Sequence, residues 1–293
     1  MIGLIYSCVC CPDPCYQPRW EPLTDTAFFV DAVRPKTSTR IRWDSGYHFA
    51  YPDRGEFFFA RDDGKGKGPK STSGLNGIPF VNYNDLMLIT EIANGPAGVQ
   101  VAIPYRSVDG AGFGFGAAGF SDMYITAKTM LLDSELALFG FQFRTYIPIG
   151  NAGKGLGTGH VSLEPGLNFG VRLAPDTYLQ YQVKEWIPIG GDKDYMGANL
   201  QWGVSLNHVL WRPIKDVQLI GTLETTGISF QDGEFTDPVL GPQQLKGRTS
   251  AAIGPGMRLF FCDTFDLGVG WQHAITGNYL IHDQTRFELR YRY

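Results

Sequence analysis

The sequence predicts an all-β fold, a membrane-spanning antiparallel up-and-down β-barrel of about 12 strands with short periplasmic turns and longer extracellular loops. Three observations predict it. The strands are longer than those of soluble proteins and alternate strictly between apolar and polar residues. The connections alternate between long and short along the whole chain. The chain also ends on a strand whose last residue, Tyr293, is aromatic.

The clearest strand is HVSLEPGLNFGVRL, residues 160–173. Every second residue from Val161 to Leu173 is apolar, and the opposite face carries polar residues such as Ser162, Glu164 and Asn168. Successive side chains of a strand point to opposite faces, so one side is continuously apolar. A soluble strand is typically about 5–6 residues long, whereas a tilted strand that spans a membrane needs about 9–11. This stretch has the length and pattern of a transmembrane β-strand.

The same pattern predicts eleven further strands, at residues 39–43, 85–93, 99–106, 121–132, 137–149, 177–189, 196–211, 217–224, 249–261, 265–275 and 284–293. Between them, long polar or glycine-rich loops alternate with tight turns; the long ones include residues 51–83, 109–119, 150–159 and 231–247. This alternation places both termini on the periplasmic side. In the strand at 177–189 the phase directs Glu185 toward lipid, so we expect a bulge there, or a strand that has already left the bilayer.

The composition of the chain excludes some classes of function. The net charge of -4 and the pI near 5.7 give no sign of nucleic-acid binding. No run of about 18 apolar residues is present, so the sequence predicts no transmembrane helix. We therefore expect the protein in the bacterial outer membrane, in a Gram-negative cell envelope, with membrane lipids around it.

Residues 1–36 are predicted to be an N-terminal periplasmic segment, and residues 37–293 the barrel. The start, MIGLIY, resembles the end of the apolar region of a signal peptide, so we expect export and a truncated or misassigned start. Four cysteines follow, Cys8, Cys10, Cys11 and Cys15; no second pair or histidine at zinc spacing follows them, and no cofactor is predicted. The segment is expected either to plug the barrel or to dock on a partner.

Aromatic residues near the predicted strand ends are expected to form the interfacial girdles of a membrane barrel. They are Tyr146, Trp186 and Tyr195 at the extracellular end, and Tyr178, Trp211 and Tyr291 at the periplasmic end. The last strand, TRFELRYRY, places Phe287, Leu289, Tyr291 and Tyr293 on its lipid face. It resembles the C-terminal signal that the barrel assembly machinery recognises, which makes that machinery an expected partner.

Four stretches resemble one family of outer-membrane barrels, the transporter-like proteins of the phenol meta-pathway degradation family. They are GFSDMYITAK (119–128), YIPIG (146–150), LEPGLNFG (163–170) and WIPIGG (186–191). The resemblance implies an outer-membrane channel or transporter of small molecules, and it implies no catalytic residues.

The polar faces of the predicted strands give the candidate pore lining: Arg40, Arg42, Asp85, Glu91, Arg106, Asp122, Lys128, Arg144, Glu164, Arg172, Glu224, Arg258, Glu288 and Arg290. Charges inside such a lumen must be paired or hydrated. They could form a ladder of salt bridges that stiffens the barrel. They could equally form a mildly anion-preferring pore, because basic residues are in excess. The expected solutes are small and aromatic or anionic.

Three other interpretations stay open. A soluble barrel or sandwich would share the alternation, but its strands would be shorter. An outer-membrane hydrolase of the phospholipase type could use His160 and Ser162, two residues apart on one strand, with Asn168 nearby. However, their face also carries Glu164 and so points into the lumen, and we predict no enzyme activity. A closed structural or adhesion barrel would act through the loops at 51–83 and 229–247.

Overall fold

The computed structural model describes residues 23–54, 75, 77–214, 217–261 and 264–293. They form two single-turn 3-10 helices, Leu23–Asp25 and Ala152–Lys154, and fifteen strands. The strands are β1 Ser38–Ala50, β2 Phe80–Asn94, β3 Ala97–Asp109, β4 Gly116–Phe120, β5 Met123–Asp133, β6 Ala137–Ile147, β7 Val161–Ala174, β8 Thr177–Ile189, β9 Asn199–Ile214, β10 Val217–Phe230, β11 Glu234–Asp237, β12 Gly241–Gln244, β13 Thr249–Phe261, β14 Phe265–Ala274 and β15 Ile281–Arg292. The residual signal region and all five cysteines lie outside the described residues. Neither helix in these ranges is long and apolar enough to cross a membrane.

The strands close into a 12-strand antiparallel up-and-down barrel, as predicted. The last strand, β15, pairs with β1 from Ser38↔Arg292 to Phe49↔Ile281. We call this pairing the seam. Strands β4 and β5 both pair with β3 and lie end to end, so they make one barrel strand together. The small hairpin of β11 and β12 stands apart from the barrel wall, within the connection between β10 and β13.

The connections differ at the two ends of the barrel. At one end, which we call the short-turn end, residues 95–96, 134–136 and 175–176 join neighbouring strands. At the other, the long-loop end, the connections include residues 51–79, 148–160, 190–198 and 231–248. The described strands therefore keep the predicted alternation of short and long connections.

The two faces of β7 match the prediction from period two. Val171 and Leu173 point outward and are 38% and 56% exposed. Ser162, Glu164 and Asn168 point into the barrel and are buried. An apolar outer face and a polar inner face suit a barrel surrounded by lipid.

The glycine-rich stretch 109–119 was predicted as a loop, but part of it is a strand. Gly116–Phe120 forms β4, and the strand breaks only at Ser121 and Asp122. At this break the Asp122 carboxylate accepts hydrogen bonds from the backbone N–H groups of Gly150 at 2.9 Å and Thr158 at 2.6 Å. Glycine and alanine carry almost no hydropathy contrast, so alternation in the sequence could not reveal this strand.

The prediction of a bulge at Glu185 is wrong. Glu185 pairs with Leu200 in an unshifted register between β8 and β9, and it stays on the outward face. The register shifts that do occur lie elsewhere, between Gly46 and Phe49 and between Met130 and Leu132, for example.

The predicted aromatic girdles are only partly correct. Trp211 and Tyr291 lie on the outer surface, 56% and 53% exposed. Tyr178 and Trp186, in contrast, are buried and point inward. Both have even numbers in β8 and so share the phase of the polar residues Gln180, Gln182 and Lys184. Tyr146 lines a cavity inside the barrel, and Tyr195 is buried within the connection at 190–198, where its hydroxyl lies 3.1 Å from that of Thr236.

Candidate channel lumen

All fourteen candidate pore-lining residues lie on the inner face of the barrel wall. Asp122 lies at the break between β4 and β5, and Arg172 lies toward the short-turn end, where its guanidinium is 4.0 Å from the Glu135 carboxylate. The inner wall is therefore densely charged, and six of the fourteen residues belong to two networks of hydrogen-bonded ion pairs.

The first network follows the seam. Arg258 donates to Asp266 and to Glu288, both at 2.6 Å, and Arg42 reaches the other oxygen of Glu288 at 2.6 Å. Arg290 binds the second oxygen of Asp266 at 2.9 Å. Charge-assisted bonds of this length are the strong ones in proteins. The network joins β1, β13, β14 and β15 across the barrel closure.

The second network lies on the opposite wall, on β6, β7 and β8. Arg144 donates to Glu164 at 3.0 Å, and the ammonium group of Lys184 lies 3.3 Å from the same carboxylate oxygen. Arg144 also binds Asp31 at 3.0 Å, and Lys184 lies 3.4 Å from it. Asp31 does not belong to the wall, so this network continues into a segment inside the barrel.

That segment, residues 23–37, is called here the inner segment. Its Asp25 forms ion pairs with Arg290 and Arg292 of β15. Its backbone is held as well, since Gln180 donates to the carbonyl oxygen of Thr24 at 2.9 Å and Arg258 to that of Thr26 at 3.0 Å. These contacts place the inner segment across the lumen.

Glu224 of β10 fixes the middle of the inner segment. Its carboxylate accepts hydrogen bonds from three consecutive backbone N–H groups, those of Phe28 at 2.7 Å, Phe29 at 2.8 Å and Val30 at 3.1 Å. Three such donors satisfy a buried carboxylate without a cation. Glu224 was predicted to line the lumen, but its link to residues 28–30 was not predicted.

Phe28 fills a pocket that glycines leave open in the wall. A Cβ atom added at Gly256, Gly268 or Gly270 would come within 2.6–2.7 Å of the Phe28 ring. The Arg258 guanidinium lies 4.4 Å from the centroid of the same ring, a cation–π distance. The glycines of β13 and β14 thus accommodate one aromatic side chain of the inner segment.

The short-turn end of the lumen is filled by apolar side chains. Leu23 and Val33 of the inner segment form a buried cluster with four wall residues, Leu138, Tyr178, Ile220 and Phe260. The wall residues come from strands β6, β8, β10 and β13. The inner segment therefore closes this end both by ion pairs and by packing.

The long-loop end is closed by a second apolar cluster, which we call the loop cap: Phe49, Ile78, Val81, Tyr83, Val108, Leu156, Phe230, Phe235, Leu245 and Leu280. Beside it, Arg54 is fully buried, donates to the carbonyl oxygen of Asp232 at 3.1 Å and lies 5.3 Å from the Phe230 ring centroid. Asp53 accepts a hydrogen bond from the backbone N–H of Thr236 in β11. Burial raises the pKa of Asp53 to about 7, although that hydrogen bond and the Arg54 charge act to lower it.

Between the two closures lies a cavity of about 270 Å³. Its wall combines aromatic rings with guanidinium groups: Phe49, Tyr83, Tyr124, Tyr146 and Trp186, with Arg42, Arg106 and Arg144. Tyr146 and Trp186 stack at 4.6 Å with their planes nearly parallel, and Arg144 lies 4.7 Å from the Tyr124 ring centroid. Arg106 forms a two-pronged bond with Asp85, at 2.8 and 2.7 Å.

The phase of the strands predicts that Tyr124 and Tyr146 lie on the polar face, but the aromatic lining of a cavity was not predicted. Tyr124 has the same parity as Thr126 and Lys128 of β5, and Tyr146 that of Arg144 of β6. Strict alternation puts each tyrosine on the charged face. The assignment of Tyr146 to a girdle by its position near a strand end conflicted with that phase, whereas Tyr124 was not assigned to a girdle.

The structure does not assemble a hydrolase triad from His160, Ser162 and Asn168. The His160 ring bonds the carbonyl oxygen of Thr158 through Nδ1 at 3.1 Å, and Asn168 donates to Gln142 at 3.1 Å. The hydroxyl of Ser162 and Nε2 of His160 are both buried without a hydrogen-bond partner among the described residues. A general base must lie within hydrogen-bond reach of its nucleophile, and here it does not.

Fold and inner wall together define a class of protein, the outer-membrane β-barrels, and solved porins and channels share this architecture. The COG4313 outer membrane channel from Pseudomonas putida F1 is 14% identical, with a TM-score of 0.55 over 92% of this chain and 98% of that chain. The NanC porin is 8% identical, with a TM-score of 0.51 over 88% of this chain and 100% of that chain. At these identities the likeness shows the fold.

The sequence itself assigns the family. Residues 60–281 match the family described as "MetA-pathway of phenol degradation", which confirms the resemblance seen in the four stretches between 119 and 191. No curated protein matches the sequence. The chain belongs to this family and is a bacterial outer-membrane barrel.

Proposed function

We propose that the protein is an outer-membrane channel for small aromatic or anionic solutes and that the inner segment is its plug. We place the short-turn end in the periplasm and the long-loop end outside the cell, since barrels of this membrane have short periplasmic turns. The observation that carries the proposal is the cavity between the two closures, with its aromatic and guanidinium wall.

The size of the cavity fits one aromatic ring. An engineered apolar cavity of about 150 Å³ binds benzene, so about 270 Å³ accommodates a benzoate-sized solute. Aromatic faces such as those of Tyr146 and Trp186 favour another aromatic ring over an aliphatic ring of similar size. Three guanidinium groups against the carboxylates of Asp85 and Asp122 favour an anion over a cation.

Both closures must move before a solute can pass. The inner segment is held by Glu224 and by the ion pairs of Asp25 and Asp31. The centre of the loop cap consists of apolar side chains. Beside it, Asp53 accepts a hydrogen bond from Thr236 and Arg54 donates one to Asp232. We infer that the inner segment leaves as one piece. Its contacts to the wall also include the ion pair of Arg34 with Asp133 at 2.7 Å and the bond from the backbone N–H of Lys36 to Glu91 at 3.2 Å, and these must break too.

Swelling of proteoliposomes tests the choice of solute. The two probes are benzoate and cyclohexanecarboxylate, which share a charge and nearly share a size but differ in aromaticity. Wild type and Glu224→Gln, in which the plug is loosened, are each compared with a Trp186→Leu version. An aromatic contact is worth about 0.5–1.5 kcal/mol, so benzoate should enter about 2–10 times faster, and Trp186→Leu should abolish the difference. Equal rates for both probes would contradict an aromatic preference.

Planar-bilayer conductance distinguishes the channel from a closed structural or adhesion barrel. A channel should give current steps that become more frequent in Glu224→Gln. A barrel that stays silent in both forms would favour the structural alternative. Reversal potentials in a salt gradient measure selectivity, and a clear cation preference would contradict an anion-preferring pore.

We further infer that the barrel assembly machinery recognises β15. Phe287, Leu289, Tyr291 and Tyr293 alternate on its outer face, and the Tyr291 and Tyr293 rings stack at 5.9 Å. Tyr293→Ala should lower the amount of folded barrel in the outer membrane, whereas Tyr105→Ala, an exposed aromatic on β3, should not. Unchanged levels of Tyr293→Ala would count against this role.

A further inference from the structure

Three of the five histidines of the chain gather at the long-loop end of the seam. His273 lies in β14, His282 in β15 and His48 in β1. The rings of His273 and His282 are 4.8 Å apart at right angles, and the ring of His48 lies 6.2 Å from that of His282. Histidines this close repel one another when protonated, so their clustering needs an explanation.

One carboxylate lies between two of these rings. Nδ1 of His273 is 2.9 Å from one oxygen of Asp283, and Nδ1 of His282 is 2.6 Å from the other. The ligand atoms of the three residues all lie within 4.8 Å of one another. Two imidazole nitrogens and a carboxylate thus converge on a common point from two strands.

The fold itself builds this arrangement. In the register of the seam, Asp283 pairs with Tyr47 of β1 on one side and with His273 of β14 on the other. His48 has a φ of +50° at the register shift in β1, and its backbone N–H donates to Asn82 at 2.9 Å. This conformation is rare for a residue with a side chain. The His48 ring stacks on Tyr47 at 3.9 Å and lies 4.0 Å from the Phe80 ring, so it borders the cluster without belonging to its ligand set.

The cluster is open to water. The side chains of His273, His282 and Asp283 are 44%, 38% and 29% exposed. Trp271 and Tyr279 flank the rings of His273 and His282. An ion could enter from outside and keep one or more waters as further ligands, as metal ions do where proteins supply only three ligands.

We propose that His273, His282 and Asp283 bind a divalent transition cation such as Zn²⁺ or Cu²⁺ at the rim of the barrel. Imidazole nitrogen with one carboxylate suits these ions, whereas Mg²⁺ and Ca²⁺ favour sites made only of oxygen. Bond lengths to such ions are about 2.0–2.2 Å. The Nδ1 proton of each ring moves to its Nε2, the ion takes the place of that proton between ring and Asp283, and the three ligands separate slightly to admit it.

The bound ion links β14 to β15 beside the seam. It binds the folded barrel and finds its ligands dispersed in the unfolded chain, so it stabilises the folded form by mass action. At a free ion concentration 100 times the Kd this amounts to about 2.7 kcal/mol. The site is independent of the proposed transport function, because its three residues line neither the cavity nor the inner segment.

The test is a titration of the full-length refolded barrel, without a histidine tag, by isothermal calorimetry. Cysteines are alkylated first, since Cys8, Cys10, Cys11 and Cys15 would compete for Zn²⁺. We expect one Zn²⁺ per barrel. We also expect at least a tenfold weaker affinity in His273→Gln, His282→Gln and Asp283→Asn, and no change in His208→Gln, an exposed histidine on β9.

Two further measurements separate a metal site from a plain hydrogen-bonded cluster. The spectrum of bound Cu²⁺ should show coupling to two ring nitrogens in wild type and to one in His273→Gln. Excess Mg²⁺ should not displace the ion. Gel mobility without heating shows that each variant is a folded barrel. Folded wild type that binds no ion, variants that bind like wild type, or displacement by Mg²⁺ would each overturn the proposal.

Discussion

The Glu224 carboxylate accepts a hydrogen bond from the backbone N–H of Phe28 at 2.7 Å, although 196 residues separate the two in sequence. The same carboxylate holds Phe29 and Val30. Strand β10 therefore binds the inner segment through backbone groups of that segment, whatever side chains residues 28–30 carry. Hydrogen bonds to a charged group each contribute about 1.5–3 kcal/mol, so Glu224 is a principal anchor of the closed state.

Glu224→Gln should therefore loosen the inner segment. Glutamine offers one acceptor oxygen and carries no charge, so at least one of the three N–H groups loses its partner. Loss of one charge-assisted bond, about 1.5 kcal/mol, favours release roughly tenfold. In planar bilayers we expect the open probability to rise by about that factor.

Glu185→Gln is the matched control. Glu185 lies on the outer face of β8, in register with Leu200, away from the inner segment. Its substitution changes the net charge of the protein by the same amount and should leave the open probability as in wild type. Equal effects of the two variants would show that overall charge, and not the link to residues 28–30, controls opening.

Phe28 and Gly268 make a second test of the plug. Alanine at Gly268 would bring a Cβ within 2.7 Å of the Phe28 ring, closer than real Cβ contacts allow. We expect Gly268→Ala to displace the ring and raise the open probability. Gly277→Ala, where nothing lies within 4 Å of the new Cβ, should have no effect.

A double-mutant cycle with Phe28→Ala makes this test specific. Phe28→Ala removes the ring that the new methyl group meets, so adding Gly268→Ala to it should change the open probability little. Additive effects of the two substitutions would mean that Gly268 acts on the barrel wall and not through Phe28.

Period two predicted most of the wall. In strands such as β7 and β15 every second residue faces lipid, and a one-residue error would reverse the faces, so the pattern fixes them strongly. It failed where side chains carry no contrast, as in Gly116–Phe120. It was also set aside near strand ends, where Tyr146 and Trp186 were assigned to the girdles although their parity places them inside.

A plug was one of two expectations for the N-terminal segment, but the contacts that hold the closures and shape the cavity could not be predicted, because they are distant in sequence and have no period. Asp44 binds Arg286 over 242 residues, and Asp25 meets Arg290 over 265. An alternation pattern states which face a residue occupies, but not which residue on another strand it meets. The three backbone groups that bind Glu224 have no signal in the side-chain sequence at all.

Removal of Arg258 should strongly destabilise the barrel. Its guanidinium is fully buried and bonds both Asp266 and Glu288 at 2.6 Å. Arg258→Met leaves these carboxylates with less compensation, and breaking a buried ion pair in this way costs about 3–5 kcal/mol. Unfolding by guanidinium chloride in detergent, followed by tryptophan fluorescence, measures the loss in the free energy of unfolding.

Arg212→Met is the comparison for this experiment. Arg212 pairs with Asp176 at 3.1 Å, but both side chains are exposed, at 43% and 47%. Exposed pairs contribute about 0–1 kcal/mol, so its unfolding curve should nearly coincide with that of wild type. If Arg258→Met were equally mild, the seam network would not hold the barrel closed.

The loop cap should open as the pH rises through about 7. Burial raises the pKa of Asp53 to about 7 from an ordinary value of 3.8, so the packed cap favours the protonated carboxyl. This stabilisation is complete below pH 3.8 and is lost as the pH rises through 7, when the buried carboxyl must ionise or leave. The open probability, or the rate at which a protease cleaves the loop at 231–248, should therefore increase between pH 5.5 and 8.5. Asp53→Asn can still accept the Thr236 N–H bond but does not ionise, so its open probability should not change with pH. The control is Asp194→Asn, which removes an exposed carboxyl at the same end and should retain the wild-type rise. A wild-type rise that survives in Asp53→Asn would assign the pH dependence to another group.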